Sequence, residues 1–112
     1  TVEESLTQKL RFIREEKAFF MGAFRSDDRN SLREHDFQLI LGFYQDLMVK
    51  KTGRQPQPDI RFLLEMYCQG SVYMTVKWIL GGMEEDPAQV ARKLVKAMPA
   101  KLEQVFADMG LM

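Results

Sequence analysis

A chain of 112 residues is long enough to bury one real core, with folding removing roughly 60–70% of the unfolded surface from water. Its 16 Lys/Arg and 16 Asp/Glu cancel, so the clustered basic face that phosphate neutralisation on DNA requires is missing. Cys68 is the only cysteine, which excludes an internal disulfide and suits a reducing compartment, and no apolar run approaches the roughly 18 residues that would span a bilayer.

The chain begins at Thr1 rather than at Met, and is expected to be a piece lacking an N-terminal part. Thr1 and Glu4 fit a capping box, and Leu6, Leu10, Ile13 and Phe20 follow at helical spacing. A break is expected near Glu16, and Gly22 with the polar run Ser26 to Asn30 ends the segment. Ser31 and Glu34 repeat the capping-box pattern and predict a second helix carrying Phe37, Ile40, Leu41, Tyr44, Leu47 and Met48. Lys50 and Lys51 suit the negative end of that helix, and Gly53 stops it. The stretch Arg54 to Pro58, with two prolines and two glutamines, is a turn.

Asp59 opens a helix that runs to Gly81–Gly82. One of its faces reads Ile60, Leu64, Tyr67, Ser71, Met74 and Trp78, and another Leu63, Met66, Gly70, Tyr73 and Leu80. Val72, Val76 and Ile79 add a third. A helix apolar nearly all round must be covered nearly all round, and a chain of this size has few neighbours to do it, so a second subunit is expected. Asp86, Pro87 and Gln89 then signal another helix start, with the stripe Val90, Leu94 and Ala97/Met98. Pro99 ends it, and a short terminal helix carries Leu102, Val105, Phe106 and Met109. No strand-like alternation of convincing length appears.

The chemistry-bearing residues do not assemble into a catalytic set. His35, the only imidazole, sits between Glu34 and Asp36 where a solvated side chain is expected, and Cys68 lies on an apolar helix as a small hydrophobe. Neither has a partner three or four residues away that would complete a metal site, and the acidic pairs lie at helix ends or loops. No enzyme, metal or cofactor is expected. The aromatic and methionine side chains either fill the core or wall a pocket with a few polar handles such as Tyr44, Tyr67 and Gln69. Spacing leaves both open.

Three stretches together carry a resemblance: KAFFMGAF with the turn SDDRNSL, then YCQGSVYMTVKWILGGM, then EDPAQVARKLVKAM. Their order and spacing resemble the C-terminal domain of TetR-like bacterial transcriptional regulators, most of all the subgroup resembling regulators of dihydroxyacetone-kinase operons. The resemblance implies an all-α, antiparallel bundle of about five helices over residues 1–112, acting as one cytoplasmic sensing and dimerisation domain. It implies homodimerisation through the helices Asp59–Leu80 and Pro87–Met98. It also implies a small apolar or amphipathic effector, and operator DNA contacted only through an N-terminal helix-turn-helix domain absent from this chain. The expected pocket residues are Phe20, Phe24, Phe37, Leu41, Tyr44, Tyr67 and Met74, and the expected dimer face holds Gly70, Tyr73, Val76, Leu80, Val90 and Leu94. The segment after Pro99 runs past the family pattern. A helical protein-interaction module without a small-molecule ligand is the competing expectation.

Overall fold

The computed structural model describes residues 1–112, and all its regular elements are helices: α1 (Val2–Glu15), α2 (Lys17–Arg25), α3 (Arg29–Thr52), α4 (Pro58–Leu80), α5 (Pro87–Lys96) and α6 (Ala100–Asp108). The expected count of about five becomes six because the first segment breaks at Glu16, whose backbone (φ −101°, ψ 39°) leaves helical geometry for one residue.

Several helix ends are set by local chemistry. Thr1 Oγ1 accepts the Glu4 amide at 3.1 Å, and Asp86 Oδ2 accepts that of Ala88 at 3.1 Å ahead of Pro87. Gly53 takes the left-handed conformation (φ 76°), and its amide donates to the Val49 carbonyl at 2.7 Å, closing α3. After α4, Gly82 (φ 98°) allows its own amide to reach Ile79 O and that of Met83 to reach Trp78 O, a paired C-terminal cap.

The start of α3 departs from expectation. It begins at Arg29, not at Ser31, and Glu34 bonds forward to Gln38 (3.0 Å) instead of back to a cap. No side chain caps this end. Gly22 likewise does not stop α2, which continues to Arg25.

α1 and α5 pack antiparallel, with Leu10 and Ile13 of α1 and Ala91 and Leu94 of α5 all buried. Ion pairs sit at both ends, Glu3 with Arg92 and Arg14 with Asp86, each at 3.9 Å. α3 and α4 also run antiparallel, so that Arg33 early in α3 lies over the Tyr73 ring late in α4 (5.5 Å). α6 closes the far end: Phe106 and Leu102 are fully buried, and the Phe106 ring meets Tyr44 of α3 edge-on at 5.2 Å. No helix is long and apolar enough to cross a membrane.

Candidate functional site

The break at Glu16 makes an elbow of α1 and α2 and places aromatic side chains on both arms. Phe12 comes from the last turns of α1, and Phe19, Phe20 and Phe24 come from α2. Phe20 takes Phe12 edge-on at 6.1 Å and Phe19 edge-on at 5.2 Å. Such pairs leave ring faces free for a further contact. Leu32 of α3 and Thr75, Val76 and Ile79 of α4 complete a partly enclosed cavity of about 310 Å³. Phe12 and Phe19 remain 56% and 68% exposed, a large apolar area left in water.

Few polar groups reach this cavity. Lys9 Nζ and Asp36 Oδ1 pair at 3.6 Å, each side chain about one-third exposed, and exposed His35 stands beside them. The Thr75 hydroxyl donates to the Ser71 carbonyl at 2.8 Å. Two larger hollows, of 380 and 530 Å³, are lined mainly by charged and polar side chains and open broadly to water. They lack the apolar walls that retain a small molecule.

The structure divides the seven expected pocket residues. Phe20 and Phe24 line the elbow cavity. Phe37, Leu41 and Tyr44 do not: they are buried in the solid core. Burial pushes the Tyr44 phenol up to about 12. Tyr67 is spent on structure, its hydroxyl donating to the Leu94 carbonyl of α5, and burial raises its pKa to about 12 as well. Met74 lies on another surface, a groove of about 300 Å³ between α4 and α5. Cys68 is buried, with its thiol raised to about 12 chiefly by burial, so it is an inert thiol at neutral pH. Sequence reasoning left Phe19 open between core and pocket, and did not single out Phe12, Leu32, Thr75 or a cavity-lining place for Val76. The available signal was that Phe12 and Phe19 fall outside the stripe Leu6, Leu10, Ile13.

The face of α4 turned away from the core carries Phe62, Met66 and Tyr73, each more than half exposed, with Gly70 between them. Gly70 and Tyr73 thus lie on an open face bordered by Arg33 and Glu34 of α3, and Leu80 is half-buried near its end. Val76, named with them as dimer face, is placed differently. Three residues beyond Tyr73 it is turned by about 60° toward α2, and it is buried against the elbow cavity. Val90 and Leu94 are also buried within the chain, forming part of the groove wall rather than a projecting surface.

Residues 1–99 match the family model of a TetR-type "Transcriptional regulator C-terminal region". The match spans α1 to α5, and the chain belongs to this family: it is a transcription-regulator domain, not an enzyme. No curated protein and no solved structure matches the chain.

Proposed function

We propose that residues 1–112 form the effector-sensing and dimerisation unit of their regulator, controlling a helix-turn-helix domain that precedes α1. The observation that carries this is the double use of α4. One side of it walls the elbow cavity through Thr75, Val76 and Ile79, while another carries the exposed stripe Phe62, Met66 and Tyr73. A second copy of the chain laid along that stripe would shelter it, and the same rigid helix would then touch both effector and partner. Within the family, YCQGSVYMTVKWILGGM and EDPAQVARKLVKAM support placement beside regulators of dihydroxyacetone-kinase operons.

The mechanism is a population shift. A ligand that prefers one angle between α1 and α2 favours one arrangement of the dimer's two DNA-reading heads. Moving from a 1:99 to a 99:1 population takes about 5.5 kcal/mol of differential affinity. Exposed apolar side chains alone would also suit a protein-interaction module; the cavity at the elbow favours the sensor.

Sedimentation velocity tests the association. The chain is expected to be dimeric at tens of micromolar and Tyr73→Glu to be monomeric, because the new charge would be buried unpaired in the contact. A monomeric parent chain at high micromolar concentration, or a dimeric Tyr73→Glu with unchanged melting, overturns the assigned face.

A further inference from the structure

Building on the sensor function just proposed, we infer that the elbow cavity takes a neutral, planar aromatic molecule and discriminates against charged analogues of the same size. Shape comes first. At about 310 Å³ the cavity lies at the lower end of the range for small-molecule sites, so the ligand is small. Four phenylalanines line it, and the edge-on pairs at 5.2 and 6.1 Å leave Phe12 and Phe19 with ring surface in water. A flat ring seated there covers both at once and adds stacked or edge-on contacts to the cluster.

Charge narrows the class further. Lys9 and Asp36 line this cavity with opposite signs 3.6 Å apart and the exposed His35 imidazole beside them, so the ion pair itself presents no net charge to recruit an ion. A ligand carboxylate must take Lys9 away from Asp36 and leave that carboxylate beside an apolar wall. An ammonium must do the reverse to Lys9. Either exchange gives up one pairing to make another and still removes a charge from water, which a neutral ring avoids. Thr75 has committed its proton to Ser71 and gives an anion nothing.

The place of the cavity gives the ligand its leverage. Phe12 is on one arm of the elbow and Phe19, Phe20 and Phe24 are on the other, with the single non-helical residue Glu16 between. An occupant of this space props the angle between the arms.

Three probes of one ring system separate the possibilities: 2-naphthol, 2-naphthoate and 2-naphthylmethylammonium, titrated calorimetrically into the full chain at pH 7. 2-Naphthol is expected to bind at least tenfold tighter than either ion. Asp36→Asn, which frees Lys9, should raise the affinity of 2-naphthoate relative to 2-naphthol about tenfold. Ala23→Trp, which fills the cavity, should abolish 2-naphthol binding with helical circular dichroism retained; if that variant does not fold, the selectivity change in Asp36→Asn locates the site by itself. An ion that binds as tightly as 2-naphthol overturns the neutral-ligand inference and leaves a sensor with a different ligand class. Failure of all three probes overturns the inference and removes the cavity as support for sensing. Binding that neither variant alters places the ligand elsewhere and overturns the site.

Discussion

Phe106→Ala tests whether the last helix belongs to the core. The residue lies beyond the family-matched span of 1–99, yet it is fully buried and holds the Tyr44 ring at 5.2 Å. A buried phenylalanine removes about 150–250 Å² from water, worth about 4–6 kcal/mol at 25 cal/mol per Å² as an upper bound. Truncation to alanine in cores of this kind costs about 3–5 kcal/mol. For a chain of this length total stability is of order 6–17 kcal/mol, so the loss is a large share of the whole. Phe43 is the internal control: its ring also meets Tyr44 edge-on, at 5.4 Å, but it is mostly exposed. Phe43→Ala should cost below about 1 kcal/mol in the isolated subunit. Urea unfolding followed by circular dichroism reads both, at a fixed protein concentration so that association contributes equally. A Phe106→Ala loss under about 1 kcal/mol, or one no larger than that of Phe43→Ala, would refute the placement of α6 as core.

Two other expectations rest on buried polar chemistry. Tyr67→Phe should lower stability by about 1–3 kcal/mol, because it orphans the Leu94 carbonyl near the end of α5, where the Met98 amide turns to Val95 instead; an unchanged melting curve would show that the tie contributes nothing. Tyr44, Tyr67 and Cys68 all have pKa values raised by burial to about 12 from ordinary values of 10.0, 10.0 and 9.0. The folded state therefore keeps protons that the unfolded chain releases, so their stabilisation is complete below about pH 9 and is lost as pH rises toward 12. Cys68→Ala should remove the earliest part of that alkaline decline, near pH 9, and a decline identical to the parent chain's would contradict the sheltered thiol.

The elements that could be read directly were those whose ends are written in short-range chemistry. Thr1, Gly53, Gly81–Gly82 and Asp86–Pro87 each satisfy orphan backbone groups or relieve backbone strain within a few residues, so their meaning survives without a fold around them. Ser31 and Glu34 misled for the complementary reason. The pattern was present, but Glu34 had an equally good partner in Gln38, and α3 starts earlier without any side-chain cap.

Assigning faces was harder than locating helices, and α4 shows why. A helix with apolar residues around most of its circumference has no strong direction, so periodicity says how much surface needs cover without saying which neighbour covers it. Tyr73 and Val76 differ by about 60° of rotation, and that angle separates an open stripe from the wall of a cavity. The aromatic residues pose the same problem across elements. Tyr44 became core because Phe106, over sixty positions later, arrives against it, and Phe12 became a pocket wall because the chain turns at Glu16 and brings Phe20 across. Both outcomes depend on pairings distant in sequence or on the angle of a break, neither of which a local pattern encodes. The apolar surplus on α4 therefore tells how much surface asks for cover, while its division between cavity wall and open face comes from the packing of α2.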